Sequence, residues 1–229
     1  MAAILKGTKA TRSGSDSGGD VYLKALLSGE IGIADFYAIS ALRGRVFTAA
    51  SINVTTPTTF EATATIDVTK SLFMALVPSG VAIIPMSIEV YYEAFGSNAQ
   101  MELQALIGTG GSRTSGMTAI TPVCTRSDIA PGSGVTAWMG GNSTVTVGPT
   151  TKINYFWRTG QQFAITKTTA SATASVSDPN NFTWSALANG SINIAGPDSQ
   201  LVLNQGSQAG TGFVKVQWIE FPSSELPSA

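Results

Sequence analysis

Beginning at Val46, short runs of Val, Ile, Thr and Phe alternate with clusters of Gly, Pro, Asn and Ser along the rest of the chain. Runs of this kind, each bounded by turn-forming residues, are typical of β-strands. The pattern leaves no helical half, and the absence of a fixed-period repeat disfavours a propeller or a solenoid. It therefore predicts one all-β domain, folded as a sandwich or a barrel.

Strand lengths and connections favour the jelly-roll type of sandwich. The runs differ in length, and the long connections 108–116, 127–134 and 168–181 could cross from one sheet to the other. We therefore predict a jelly-roll-like antiparallel β-sandwich over residues 46–229. The predicted strands are Val46–Val54, Thr59–Asp67, Leu72–Val77, Ala82–Tyr92, Met101–Ile107, Met117–Cys124, Thr144–Val147, Ile153–Trp157, Gln162–Thr166, Phe182–Trp184, Ser191–Ile194, Gln200–Leu203 and Phe213–Phe221.

The longest of these runs, Ala82–Tyr92, alternates over its whole length and contains a proline. Alternation predicts that the even-numbered residues from Ala82 to Tyr92 face the core. Pro85 then lies on the opposite face. Because proline cannot donate to a strand ladder, we expect it at a sheet edge or at a bulge where the strand bends.

Residues 1–45 differ from the rest of the chain and are predicted to form an extended N-terminal arm. The first twenty residues are polar and glycine-rich, so they offer little surface to bury. A short helix is predicted in DFYAISALRG, with Asp35 as its N-terminal cap and Gly44 at its end. We expect the arm to dock on its own domain or on a neighbouring subunit.

Charge is sparse and nearly balanced. Charged residues make up 12% of the chain and the net charge is −1, against about 25% charged residues in typical soluble domains. A surface built from neutral polar residues suits a chain that is packed against other chains. The balance gives no electrostatic case for nucleic acid or an anionic membrane, and neither a membrane span nor a secretion signal is expected from the apolar runs.

The residue inventory disfavours an enzyme. Histidine is absent, which removes the commonest general base and metal ligand. The single cysteine, Cys124, cannot form an intrachain disulfide and is predicted to be a small buried residue. Glu89 and Glu93 share one face of a strand, where a solvated face explains them better than a glycosidase pair. We expect no catalytic residue, no cofactor and no metal site.

Three aromatic residues are candidate contacts for a glycan or for another subunit: Trp138, Tyr155 and Trp184. Exposed aromatic rings at the loop tips of a sandwich can stack on sugars, whereas a buried tryptophan serves a core or a subunit contact. Both interpretations stay open for these residues, while a core or contact role is favoured for Trp157 and Trp218.

The last predicted strand carries apolar residues on both faces. Val214, Val216 and Trp218 share one face, and the other mixes apolar with polar residues. A strand of this kind is covered on one side by the core and on the other by a neighbour or by the arm. The candidate residues for a trimer contact or an arm contact are Phe213, Ile219 and Phe221.

Three segments carry a resemblance to a known class of protein: RGRVFTAA at 43–50, VPSG at 77–80 followed by the long apolar strand, and WIEFP at 218–222. With the polar arm that precedes them, they resemble the small jelly-roll virion proteins of tailed bacteriophages. Those proteins decorate or cement the head shell, usually as trimers. The resemblance spans residues 43–222 and brings no catalytic residues with it.

The resemblance implies a structural virion protein on the capsid surface, assembled in the host cytoplasm. Its implied partners are the major capsid protein and further copies of itself in a homotrimer. Similar sandwiches serve as fibre heads and minor spikes, so a glycan- or receptor-binding module of a spike, fibre or tail is the alternative, with a host surface glycan as its partner. A polysaccharide depolymerase is disfavoured because the chain lacks a convincing acid–base pair.

Overall fold

Two six-stranded antiparallel sheets pack face to face and enclose the hydrophobic core. The structure is a computed structural model that describes residues 6–8, 20–22, 36–51, 57–60, 66–67, 69–95, 100–113, 116–129, 131–140, 146–162, 181–189, 192–207 and 210–226. Met1–Ile39 and Ser40–Ala229 form two separate units, and the sandwich belongs to the second. The predicted all-β sandwich is confirmed.

The elements are numbered in chain order. The strands are β1 (Lys6–Thr8), β2 (Asp20–Tyr22), β3 (Val46–Ala50), β4 (Thr58–Phe60), β5 (Ser71–Val77), β6 (Val81–Phe95), β7 (Gln100–Thr109), β8 (Ser112–Arg113), β9 (Thr118–Ile120), β10 (Val123–Cys124), β11 (Thr136–Met139), β12 (Thr146–Val147), β13 (Thr151–Gln162), β14 (Asn181–Ser185), β15 (Ser199–Ser207) and β16 (Gly210–Pro222). The helices are α1 (Phe36–Leu42), α2 (Ala186–Asn189) and a final 3-10 turn, Ser223–Glu225.

The strand order is that of a jelly roll. The first sheet runs β10-β3-β16-β6-β14, with β4 also paired to β16, and the second runs β13-β7-β15-β5-β11-β9. Eight main strands pair antiparallel in nested fashion, first with last and so inward: β3 with β16, β5 with β15, β6 with β14 and β7 with β13. Nested pairing across two sheets is the double Greek key of a jelly roll.

The core draws alternate residues from both sheets. Phe73 of the second sheet packs against Trp218 of the first, with ring centroids 6.3 Å apart. Tyr92 is fully buried and lies edge-on to Phe60 and Phe182. The Phe73–Trp218 contact joins the two sheets, whereas Tyr92, Phe60 and Phe182 all belong to the first sheet and fill the core on its inner face.

Strand β6 changes face halfway along its length, which makes the prediction for Ala82–Tyr92 only partly right. Trp218 pairs with Pro85 and Gln217 with Ser87, so Met86 is the extra residue of a bulge. From Ile88 to Tyr92 the predicted set does face the core. Before the bulge Ile83 faces the core instead, while Ala82, Ile84 and Met86 are buried outside that cluster.

Pro85 lies beside this bulge, as one of the two predicted alternatives required, and it is buried within a central strand and not at a sheet edge. The N–H of Ile83 points away from β16 and donates to the Ala195 carbonyl at 2.9 Å. N–H groups two residues apart share a side, so the Pro85 nitrogen faces that side too. The Pro85 nitrogen lies between the Ile83–Ala195 bridge and the Ser185–Ser87 pair, which is the last pair of β14 with β6. At this position the described strands form no pair.

Several predicted strands are displaced or incomplete. β11 was not predicted, and residues 192–194 are not a strand, although Ala195 forms an isolated bridge with Ile83. Cys124 is half-buried in the edge strand β10 and not fully buried as predicted, and its thiol donates to the Gly44 carbonyl at 3.5 Å. Predicted segments that fall outside the described residues are 52–54, 61–65, 144–145, 163–166 and 191 of the strands, and 114–115, 130 and 168–180 of the three connections.

The N-terminal unit contains an antiparallel pair, β1 with β2. The predicted short helix is present as α1, which spans the boundary between the two units. Gly44 follows it with a φ of +67°, a conformation that glycine adopts without steric cost at a helix end. The rest of the predicted arm, 1–5, 9–19 and 23–35, lies outside the described residues. No helix in the described part of the chain is long and apolar enough to cross a membrane.

Candidate interaction surfaces

Trp184 is a core residue and has no surface for a ligand. Strand β14 alternates in burial, and its inward residues Phe182 and Trp184 are 7% and 2% exposed. The Trp184 indole packs against the Phe156 ring at a centroid distance of 4.8 Å. A ring covered in this way cannot stack on a sugar unless the sandwich opens.

Trp138 lies on a strand and not at a loop tip. It belongs to β11, where its neighbours Ala137 and Met139 face the core, so its indole points to the outer face of the second sheet. There it packs beside Met74, Leu106 and Val202, which are buried. The Arg113 guanidinium covers the ring, 5.0 Å from its centroid, in a cation–π contact.

Tyr155 is the exposed member of the three aromatic candidates, at 56%. It lies on β13, an edge strand of the second sheet among the described strands. The adjacent Asn154 donates from Nδ2 to Oδ1 of Asn193 at 2.9 Å. This hydrogen bond ties β13 to residues 192–196, here called the edge segment, whose Ala195 is bridged to Ile83 of the first sheet.

The structure therefore does not bring Trp138, Tyr155 and Trp184 together as one surface. Trp184 lies in the core, whereas Trp138 and Tyr155 lie on β11 and β13, with three strands between them in the sheet. The burial of Trp184 had a sequence signal, because NFTWS alternates with Phe182 and Trp184 on one face.

The outward face of β16 divides into three environments. Phe213 is half-buried and stacks on Tyr91 at 6.4 Å, beside the ion pair of Lys215 with Glu89 at 2.9 Å. Ile219 is 1% exposed and pairs across the sheet with Ile84. Phe221 is half-buried and lines a pocket at the end of the sandwich. The three candidates thus share a strand but not a common accessible surface.

That pocket, here called the end pocket, has a volume of about 290 Å³ and opens to solvent. Its lining residues come from the turn after α1 and from β3, β6, β16 and the 131–135 loop: Gly44, Arg45, Phe47, Gly80, Val81, Gly132, Glu220, Phe221 and Pro222. Apolar side chains and glycine backbone form most of the wall. Two charged residues, Arg45 and Glu220, complete it.

Glu220 is a buried carboxylate, 8% exposed, that is held by three neutral donors. Its Oε1 accepts from the Trp218 Nε1–H at 2.9 Å and from the Ser133 hydroxyl in a short hydrogen bond. Its Oε2 accepts from the Gly134 N–H at 3.0 Å. The carboxylate therefore anchors the 131–135 loop onto the last strand.

Arg45 is paired elsewhere. Both of its terminal nitrogens bond the Glu225 carboxylate at 3.0 Å, a bidentate ion pair that joins the residue before β3 to the turn after β16. The Arg45 carbonyl also accepts from the Glu220 N–H at 2.7 Å. The sequence analysis did not single out Arg45 or Glu220. The lone carboxylate within WIEFP is the signal that could have pointed to Glu220.

Other charged groups form exposed ion pairs. Arg126 binds the Asp128 carboxylate through Nε and Nη2 at 2.7 Å each, and these hydrogen bonds hold the pKa of Asp128 below its usual range. Arg158 and Glu102 pair across β13 and β7 at 3.3 Å. Exposed pairs contribute little stability, and they mark no site by themselves. In the described part of the chain, no group of three or more His, Cys, Asp or Glu could hold a metal ion.

Comparisons of the chain with protein-family models, with curated proteins and with solved structures found no match in any of the three.

Proposed function

We propose that this chain is a structural protein of a tailed-bacteriophage particle, which decorates or cements the capsid shell. The jelly-roll order of the sandwich agrees with the fold that the sequence resemblance implies. The weakly charged composition is suited to a protein whose surface is largely covered by other chains. Its proposed partners are the major capsid protein and two further copies of itself, and its proposed location is the outer surface of the virion.

The placement of exposed apolar side chains is the observation that carries this proposal. Val123 lies on β10 and is 64% exposed, Leu187 lies in α2, the short helix that follows β14, and is 70% exposed, and Tyr155 lies on β13. Among the described strands, β10, β13 and β14 are edge strands of the two sheets. Apolar side chains at sheet edges favour side-by-side contact with other subunits.

Binding to undecorated phage heads tests the proposal directly. Purified protein is mixed with heads that lack their decoration and is imaged by electron microscopy. We expect ordered density on the shell and a loss of at least tenfold in binding for the double variant V123D/L187D, because charges at the edges oppose apolar contact. The matched control S79D/S224D adds the same charge at exposed positions away from the edges. Absence of binding by the unmodified protein, together with adsorption to host cells, would reverse the order of the two candidate functions.

The alternative, a host-glycan or receptor-binding module of a spike, fibre or tail, would have to depend on Tyr155. Trp184 is in the core and the Trp138 ring is covered by Arg113. Under this alternative Y155A abolishes adsorption to host cells, whereas under the capsid proposal it weakens shell binding instead.

A further inference from the structure

The end pocket contains a charge that the described residues do not neutralise. Arg45 and Glu225 form a pair with no net charge, and Glu220 adds one negative charge. Its hydrogen-bond donors are a hydroxyl, a backbone N–H and an indole N–H, which are all neutral. Buried charges in proteins are normally paired, so a carboxylate beside an open pocket favours a cationic occupant.

The hydrogen bonds of Glu220 also restrict the kind of cation. A carboxylate has about four acceptor positions, two on each oxygen. Oε1 already accepts two hydrogen bonds and Oε2 accepts one. A guanidinium needs one free position on each oxygen for its bidentate geometry, whereas an ammonium needs a single position. The remaining capacity therefore fits an ammonium group.

The pocket walls fit the rest of such a ligand. Phe47, Val81, Phe221 and Pro222 provide apolar surface beside the carboxylate. The volume of about 290 Å³ lies at the lower end of the range for small-molecule sites, about 300–1,000 Å³. An unbranched alkyl stem of four carbons can lie along these walls while its charged end faces Glu220.

We propose that the end pocket is a binding site for a primary alkylammonium group, such as the end of a lysine side chain. This proposal does not depend on the phage assignment. A free alkylamine and a lysine of another chain share the same chemistry, and the choice of probe distinguishes them.

The test is a titration of the full chain with n-butylammonium, followed by ¹H–¹⁵N NMR. The Gly134 amide and the Trp218 indole N–H both donate to Glu220, so their signals report directly on the carboxylate. We expect saturable shifts of both signals with a Kd of about 1–10 mM. We expect 1-butanol, the neutral analogue of the same length, to bind at least tenfold more weakly.

Two variants make the result decisive. E220Q removes the negative charge and is expected to weaken binding at least tenfold. Because this change also alters the three hydrogen bonds, G132F is the second variant. Gly132 lines the pocket and a Cβ there meets no atom within 4 Å, so a phenylalanine can be accommodated beside the pocket opening, and G132A is its matched control. We expect G132F to abolish the shifts and G132A to preserve them.

Absence of saturable shifts in the unmodified protein, or equal binding of 1-butanol, would overturn the site. Equal binding by G132F and G132A would overturn its location. A final comparison uses N-acetyl-lysine methylamide in place of n-butylammonium. Binding as tight or tighter assigns the site to a lysine side chain, and weaker binding assigns it to a free amine.

Discussion

Tyr92 is completely buried between the two sheets, where its ring lies 5.1 Å from that of Phe60 and 5.8 Å from that of Phe182. Burial raises the pKa of its hydroxyl well above the ordinary value of 10.0. Since the folded pKa is the higher one, the stabilising contribution is complete below about pH 10 and is lost as the pH rises further. The expected loss is about 1.4 kcal/mol per pH unit for this one group.

The variant Y92F lacks the titrating hydroxyl, so its free energy of unfolding should fall less steeply as the pH rises above about pH 10. Urea unfolding followed by tryptophan fluorescence between about pH 8 and pH 11 measures it. Y155F is the matched control, because Tyr155 is exposed, and we expect its slope to equal that of the unmodified protein. Parallel stability curves for Y92F and the unmodified protein would show that Tyr92 ionises as easily in the folded state as in the unfolded one.

At the scale of single elements, the edge segment 192–196 connects the two sheets through two kinds of contact. Asn193 accepts a side-chain hydrogen bond from Asn154 of β13, and Ala195 exchanges two backbone hydrogen bonds with Ile83 of β6, each 2.9 Å. We expect N154A to release the segment and to speed amide exchange at Ile83 and Ala195 about fivefold, which corresponds to about 1 kcal/mol. Hydrogen exchange followed by NMR measures both amides.

T183A is the control for this change, because Thr183 is exposed on β14 and pairs across the sheet with Glu89. Its exchange at Ile83 and Ala195 should equal that of the unmodified protein. Equal acceleration in both variants would mean that the first sheet opens as a whole and that Asn154 has no specific role.

The same elements show what the sequence could and could not predict. Turn clusters and apolar runs located most strands of the two sheets, because strand length and turn chemistry are local properties. The core-facing residues of β6 were predicted correctly only from Ile88 onward. Ile83 and Ile84 are both apolar, so alternation in the sequence cannot reveal the bulge at Met86. No strand was predicted at Trp138, because β11 has only four residues before Gly140.

The candidate surfaces depended on long-range contacts, and these were less predictable. Arg113 is distant in sequence from Trp138, so nothing local indicated that it covers the indole. Glu220 gains two of its three donors from residues 86 and 87 positions earlier in the chain. Burial within a strand can be inferred from alternation, whereas the partners of a side chain come from the topology.

At the scale of the whole molecule, the chain divides into Met1–Ile39 and Ser40–Ala229. The arm and the edges of the sandwich are the two candidate contacts with a capsid shell, and this division allows them to be tested separately. Residues 40–45 belong with the sandwich, because the Arg45 side chain pairs with Glu225 and the Arg45 carbonyl accepts from the Glu220 N–H. A truncation that keeps these contacts begins at Ser40. We expect it to unfold at nearly the same urea concentration as the full chain.

Shell binding should nevertheless be lost in that truncation. Under the proposed function the arm, residues 1–45, makes the main shell contact, since a segment that orders on binding can cover a large surface on neighbouring subunits. Electron microscopy of undecorated heads compares the truncation with V123D/L187D, which keeps the whole arm. If the truncation binds as well as the full chain while V123D/L187D does not, the sandwich edges make the shell contact and the arm has another role. If only the truncation fails, the arm is the anchor, and the exposed apolar edges are left for contacts between copies of the sandwich.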